Sequence, residues 1–186
     1  MENQWNHSFA RSLETALDEC VYGSRLIGSD PALVLHGGGN TSIKAPFNDI
    51  TGNNFDALFV KGSGWDLATI EEQGFAPLNL SRLRDLLALD SLSDSEMMRE
   101  LTASSFDPDA PAPSVESLLH AYIPHPAVLH SHADVVVSIT NVTDGEKLVR
   151  NIFGDSVIVI PYVMPGFELA KTVTTMWPTQ AHERTV

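Results

Sequence analysis

The chain has 186 residues, of which 43% are hydrophobic and 19% are charged, a composition typical of a single globular domain. Its formal net charge of −13 argues against nucleic acids and anionic membranes as partners, since both require basic patches. One cysteine, Cys20, cannot form an internal disulfide, and no apolar run reaches the roughly 18 residues of a membrane helix. No signal peptide is visible at the N-terminus, so we expect a cytoplasmic protein.

The first part of the chain predicts one helix followed by strands and glycine-rich turns. Apolar residues at helical spacing predict a helix over residues 8–27. Residues 33–44 place two strand-like pieces on either side of three glycines at 37–39, which allow positive φ and leave amide groups uncovered for an anion. A strand over residues 56–61 then enters a second glycine turn at residues 62–64.

The middle of the chain alternates between short apolar runs and helix-start residues. It predicts a short helix over residues 67–72, a strand over 75–80, and helices over about 81–89 and 93–103. Residues 107–113 form a proline-rich loop. This loop leads into the stretch with the most chemical content.

The second half of the chain continues the same alternation. The apolar run at 127–129 predicts a buried strand, and a helix over 133–140 is favoured over an extension of that strand. A helix over 146–153, a strand over 157–160 and a helix over 166–176 follow. Helices that alternate with short apolar strands imply a layered α/β domain.

Two histidines at the end of the strand predicted at 127–129 carry the strongest chemical signal. His130 and His132 are two residues apart, so in an extended chain their imidazoles point to the same face. Two metal ligands need this arrangement, and zinc favours imidazole nitrogen. The pattern alone is equally compatible with two structural histidines at a strand end. The acidic residue Glu116, nearby in sequence, favours the metal site.

The other candidate residues have plain structural interpretations beside their functional ones. Glu116 lies near a predicted helix start, where an acidic residue also complements the helix dipole, and that simpler interpretation is favoured on the residues alone. His120, one turn later, is more typical of a packed helix histidine. The turn at residues 37–42 lacks the glycine spacing of a dinucleotide-binding loop and the Gly-Lys-Ser/Thr of a Walker loop, and a simple β-turn remains an alternative.

Five segments taken together resemble the class II aldolase/adducin family. The resemblance is greatest to the N-terminal aldolase domain of rhamnulose-1-phosphate aldolase/alcohol dehydrogenase-type bifunctional proteins. The segments follow the family's order, at residues 35–44, 60–67, 113–120, 130–134 and 160–166. Five ordered motifs are far more specific than any one of them.

The resemblance implies a fold, a cofactor and an assembly. The fold is a three-layer α/β/α domain around a mostly antiparallel mixed sheet. The cofactor is a divalent metal, usually zinc (Zn2+). The assembly is a homo-oligomer, often a tetramer with sites between subunits.

The resemblance also implies roles for particular residues. His130 and His132 match two metal-binding histidines, and Glu116 matches the catalytic carboxylate. Four residues match positions that hold the substrate phosphate: Asn40, Gly62, Ser63 and Ser114.

The chain departs from the family pattern in two places. Ser114-Val115 stands where the smaller sugar-phosphate aldolases have two serines, as in the bifunctional branch. The family's third metal histidine lies in a later Asn-His-Gly segment, which this sequence lacks, and its one later histidine, His182, does not match. We therefore expect residues 1–186 to form a single class II aldolase/adducin-like domain that stops before the family's closing strand and helices.

The expected function is that of a lyase in carbohydrate metabolism. The resemblance implies a metal-dependent aldolase that cleaves a phosphorylated keto-sugar, such as rhamnulose 1-phosphate, through a metal-stabilised enediolate. Two alternatives remain open. One is a non-catalytic, adducin-like assembly domain, and the other is a sugar-phosphate epimerase with the same fold.

Overall fold

A four-stranded antiparallel sheet lies at the centre of the computed structural model, which describes residues 2–177. Its strands are β1 (Asn40–Asn48), β2 (Asn54–Lys61), β3 (Phe75–Asn79) and β4 (Ala127–His130). Their order across the sheet is β3-β2-β1-β4, with each neighbouring pair antiparallel. The start of β1 therefore lies at the same end of the sheet as the last residues of β2 and β4.

Eight α-helices surround this sheet in the described part of the chain. They are α1 (His7–Ala10), α2 (Ala16–Gly28), α3 (Leu80–Leu87), α4 (Asp94–Ala103), α5 (Ser117–Tyr122), α6 (Asp134–Thr140), α7 (Gly145–Phe153) and α8 (Phe167–Met176). Short 3-10 turns occur at Glu72–Gly74 and Gly154–Ser156. None of the helices in residues 2–177 has the length and apolar character needed to cross a membrane.

Successive residues of β2 pack against helices on opposite faces of the sheet. Leu58 and Val60 belong to an apolar cluster with buried residues of α3, α5 and α8. Phe59, between them, packs on the other face beside Cys20 of α2 and Ile43 of β1. This alternation follows from the two-residue period of a strand. The predicted three-layer α/β/α fold is thus confirmed, and every strand pairing among the described residues is antiparallel.

The single helix predicted over residues 8–27 is wrong, because the structure has two helices there. Thr15 interrupts the pattern as the N-cap of α2. Its hydroxyl accepts the Asp18 N–H at 3.0 Å, while the Asp18 carboxylate accepts the Thr15 N–H at 2.9 Å. This reciprocal capping box starts a new helix, and the apolar spacing alone did not reveal it.

Several other predictions hold, and four do not. The strands at 56–61 and 75–80 and the helices at 93–103, 133–140, 146–153 and 166–176 are confirmed within a few residues. Residues 33–35 and 157–160 are not strands, since neither segment pairs in a sheet. The helix predicted over 67–72 is absent: residues 67–69 form a turn in which the Asp66 carboxylate accepts the Ala68 N–H, and residue 72 begins a 3-10 turn. Strand β4 is not buried, because it lies at the edge of the sheet.

Candidate functional site

All of the residues predicted to form a site line one cavity of about 480 Å³. They are Asn40, Gly62, Ser63, Ser114, Glu116, His130 and His132. The sheet topology explains their convergence, because β1 begins where β2 and β4 end. The segment before α5 covers that end of the sheet through a bridge between Gly62 and Pro113. Residues far apart in sequence therefore meet at one end of the sheet.

The Glu116 carboxylate lies at the centre of this cavity. Its Oε2 accepts a hydrogen bond from Nδ1 of His130 at 3.1 Å and another from Nδ2 of Asn40 at 2.5 Å. The side chain is 14% exposed. Because Oε2 takes both bonds, Oε1 is the oxygen left for a proton of a bound molecule.

Opposing effects act on the pKa of Glu116. Burial raises it, but the hydrogen bond and charge interaction with His130, the bond from Asn40 and the interaction with His120 together lower it below its usual value. The carboxylate is therefore ionised at neutral pH. In that state it can accept a proton, which is the first requirement of a general base.

The two imidazoles lie side by side, as their spacing predicts. The ring centroids of His130 and His132 are 4.8 Å apart. A neutral His130 carries its proton on Nδ1, the atom that faces Glu116, so its Nε2 lone pair is free for a metal. The His132 N–H bonds to the Leu33 carbonyl at 2.8 Å, which holds this loop beside the glycine turn.

The pair fits two positions of a metal site. A catalytic zinc site takes three protein ligands, and no group of three His, Cys, Asp or Glu side chains within residues 2–177 could hold a metal ion. His182, the later histidine, lies outside the described residues. A three-ligand zinc site would therefore need a ligand from outside residues 2–177.

The expectation that glycine-turn amides are uncovered is wrong at three positions. The Gly38 N–H donates to the Leu35 carbonyl, Gly62 to Gly74, and Ser63 to Ala112, each at 2.8 Å. These three amides are taken by a nearby carbonyl or by carbonyls distant in sequence, whereas the Gly37 and Gly39 N–H groups have no backbone partner within residues 2–177. The N–H of Gly64 lines the same cavity and makes no hydrogen bond within residues 2–177.

Two hydroxyls remain for an anion in this part of the cavity. Ser114 Oγ accepts Nδ2 of Asn40 at 3.1 Å and the Glu116 N–H at 3.2 Å, which leaves its own hydrogen to donate. The Ser63 side chain also lines the cavity. By contrast, both Nδ2 hydrogens of Asn40 are taken by Ser114 and Glu116. The Asn40 side chain thus orients the carboxylate.

Lys61 is a cavity residue that the sequence analysis missed. It is only 5% exposed, and its Nζ makes one hydrogen bond, to the Gly37 carbonyl at 3.3 Å. Burial lowers its pKa, and the nearby charge of Asp66 opposes that shift. A nearly buried ammonium beside Ser63 can offset the charge of a phosphate. The signal in the sequence was a lysine directly before Gly-Ser-Gly.

The chain matches known proteins along most of its length. The family model described as class II aldolase and adducin N-terminal domain matches residues 18–183. "Uncharacterized oxidoreductase YuxG" from Bacillus subtilis (strain 168) is 40% identical over 169 residues, which are 91% of this chain. The match covers 24% of that protein, so the chain spans about a quarter of the length of this curated relative.

A solved structure agrees with the sequence match. It is described as the N-terminal class II aldolase domain of a conserved protein from Thermoplasma acidophilum. The TM-score is 0.88 at 42% sequence identity, and the match covers 96% of this chain and 82% of that one. The family match spans most of the sequence and the fold agrees with it, so this chain belongs to the class II aldolase and adducin N-terminal domain family.

Proposed function

We propose that the chain is a metal-dependent aldolase domain that cleaves a phosphorylated keto-sugar, such as rhamnulose 1-phosphate, in the cytoplasm. Members of the family are often oligomeric and bind sugar phosphates. We propose the same for this chain, as a homo-oligomer with the family's tetramer as the expected form. Glu116 is the proposed catalytic residue.

One observation carries this proposal. An ionised carboxylate, Glu116, is hydrogen-bonded to one of two adjacent imidazoles in a cavity that also holds a buried ammonium. A base and an anion-binding group in one cavity can position a sugar phosphate and move its proton.

The residues of the chain divide the work between binding and proton transfer. Lys61, Ser63 and Ser114 hold the phosphate. Gly62, whose phosphate role rests on the family motif, lets the chain pack closely against Pro111, because a Cβ at Gly62 would lie 2.4 Å from that ring. Asn40, whose phosphate role rests on the family motif, orients Oε2 of Glu116. Oε1 of Glu116 takes up the proton that the substrate hydroxyl loses as the carbon–carbon bond breaks, and then returns it to the carbon next to the carbonyl.

The family generally uses a divalent metal ion such as Zn2+. His130 and His132 would hold it, with Nε2 of His130 as one ligand atom. When bound, the ion supplies Lewis-acid stabilisation of the negative charge that develops on the substrate oxygens.

We further propose that the chain corresponds to the aldolase part of a longer bifunctional protein of the rhamnulose-1-phosphate aldolase/alcohol dehydrogenase type. The Bacillus subtilis relative is named an oxidoreductase, and this chain matches only 24% of it. Aldol cleavage yields an aldehyde or ketone, which is a substrate class for an oxidoreductase.

A non-catalytic, adducin-like assembly domain is the second candidate. The observation that favours it is the lack of a three-ligand metal group within residues 2–177. The two candidates differ in their need for metal and substrate. An assembly domain requires neither.

The experiment that tests the proposal measures product release from ketose 1-phosphates. The 186-residue chain, loaded with Zn2+, is incubated with rhamnulose 1-phosphate and related ketose 1-phosphates, and dihydroxyacetone phosphate is quantified. We expect release of dihydroxyacetone phosphate that EDTA abolishes. The unphosphorylated sugars should release no free dihydroxyacetone. Absence of release from every sugar phosphate, with Zn2+ bound, would favour the assembly domain.

A further inference from the structure

Two parallel polar contacts join strand β1 to helix α5. Asn40 and Ser42 are two residues apart on β1 and so face the same side of the sheet. Glu116 and His120 are four residues apart, at the N-cap and within α5, and so lie on the same side of the helix. Asn40 contacts Glu116 at 2.5 Å, and Ser42 Oγ contacts Nδ1 of His120 at 2.8 Å.

The contact between Ser42 and His120 is buried in the protein interior. Ser42 is 0% exposed and His120 is 1% exposed. Within residues 2–177, the Ser42 side chain has no other hydrogen-bond partner. A buried hydroxyl without an acceptor is costly, so the Ser42 O–H donates to Nδ1. The imidazole is therefore neutral and carries its proton on Nε2.

Helix α5 cannot hold Glu116 in place by itself. It has six residues, too few to be stable alone, and the side chain of its N-cap residue, Glu116, makes no capping hydrogen bond. Leu118 and Ala121 bury it against the core, but apolar contacts are non-directional and restrain sliding and rotation poorly. Lys44 Nζ of β1 donates to the Ile123 carbonyl at 2.6 Å, and the Tyr122 hydroxyl donates to the Thr174 carbonyl at 3.1 Å, so both of these bonds restrain the far end of α5. The hydrogen bond between Ser42 and His120 is the directional contact one turn beyond Glu116.

We infer that His120, through its hydrogen bond with Ser42, is a positioning residue that sets the place of Glu116 against Asn40 and the cavity. It does not touch the substrate. The titratable groups that interact with its imidazole are Glu116 at the start of its own helix, Lys44 of β1 and His130 of β4. Burial lowers the pKa of His120 to about 4, which agrees with a neutral, hydrogen-bonded ring.

The kinetic part of the test rests on the proposed function. Ser42→Ala and His120→Leu each remove the contact, whereas His120→Asn keeps an acceptor at the position of Nδ1. We expect the first two to lower kcat for aldol cleavage by about tenfold or more, while KM stays within about twofold. His120→Asn should recover most of kcat. The double variant Ser42→Ala/His120→Leu should be no slower than the single variants, because both remove one interaction.

A matched control separates positioning from general stability. Ser24 is another fully buried serine, and it bonds to Thr41 on the opposite face of β1 at 2.7 Å. Ser24→Ala should leave kcat unchanged even where its unfolding free energy falls as far as that of Ser42→Ala. An equal kcat loss in both variants would show that the effect is only destabilisation, and would overturn the inference.

A second readout needs no catalytic activity. Hydrogen exchange of the Asn40 side-chain amide, followed by NMR, reports directly on its bond to Glu116. We expect faster exchange in Ser42→Ala and His120→Leu, and parent-like exchange in His120→Asn and Ser24→Ala. If the parent cleaves no sugar phosphate, the proposed function fails while this result still decides the inference. Unchanged exchange in Ser42→Ala would refute it.

Discussion

Nδ1 of His130 lies 3.1 Å from Oε2 of Glu116 and donates a hydrogen bond to it. This contact links the proposed base to one of the proposed metal ligands. It lowers the pKa of Glu116 against the effect of burial, and it directs Nε2 of His130 away from the carboxylate. One hydrogen bond therefore prepares both groups for their roles.

The adjacent imidazoles predict metal binding. We expect the double variant His130→Ala/His132→Ala to bind Zn2+ at least about a hundredfold more weakly than the parent in calorimetric titration. His125→Ala is the matched control, because His125 does not line the cavity. Equal affinity in the parent and the double variant would place the metal elsewhere.

The buried ammonium of Lys61 predicts anion binding. Lys61→Met should raise the Kd for inorganic phosphate by about ten- to a hundredfold, because a charge-assisted hydrogen bond contributes about 1.5–3 kcal/mol. NMR titration should show shifts at Gly64 in the parent, since its N–H is free within the described residues. Lys147→Met, which removes an exposed charge outside the cavity, should bind phosphate like the parent. Parent-like affinity in Lys61→Met would remove Lys61 from the phosphate site.

The buried imidazole of His120 predicts a pH dependence of stability. Its pKa is about 4 in the folded chain, because burial disfavours the charged ring, against about 6.5 for an unperturbed histidine. The unfolded chain therefore binds more protons between these values, and stability falls as pH falls through that window, by up to about 3 kcal/mol. Above about pH 6.5, His120 is neutral in both the folded and the unfolded chain, so it no longer changes the unfolding free energy with pH.

Urea unfolding of the parent and His120→Asn at about pH 7 and about pH 4.5 isolates this contribution. Other titrating groups contribute similarly to both proteins and cancel in the difference. We expect the parent to lose more unfolding free energy than the variant on acidification. An identical loss in both would show that His120 is not held neutral.

Large exposed apolar side chains between residues 135 and 162 predict self-association. Val135 of α6 is 75% exposed, Ile152 of α7 is 60% exposed, and Tyr162 is 88% exposed. Clustered exposed apolar residues mark contact surfaces. Val135→Glu/Ile152→Glu should lower the mass measured by light scattering, whereas Ile50→Glu, in the β1–β2 turn, should not. A parent that stays monomeric at high concentration would refute this surface.

Local spacing in the sequence predicted the parts of the site that depend on local geometry. His130 and His132 share a face because of the two-residue period at the end of β4. The family motifs predicted that Asn40, Ser114 and Glu116 belong to one site. The three side chains line the same cavity, where Asn40 donates hydrogen bonds to Ser114 and Glu116.

Contacts between distant residues were beyond the reach of sequence patterns. The Gly62 and Ser63 amides are occupied by carbonyls of Gly74 and Ala112, which local turn chemistry does not reveal. The Ser42–His120 contact joins residues 78 positions apart, so His120 looked like an ordinary packed histidine. Likewise, the burial of Lys61 depends on the tertiary fold and not on its neighbours in sequence.

In the proposed function, Glu116 performs proton transfer in a metal-dependent aldol cleavage. The most direct measurement compares kcat for cleavage of a ketose 1-phosphate by the Zn2+-loaded parent, Glu116→Gln and the control Glu168→Gln. Glu168 is an exposed residue in the first turn of α8, away from the cavity. We expect Glu116→Gln to lose at least about a hundredfold in kcat while Glu168→Gln matches the parent. Equal kcat in Glu116→Gln and the parent would contradict the account.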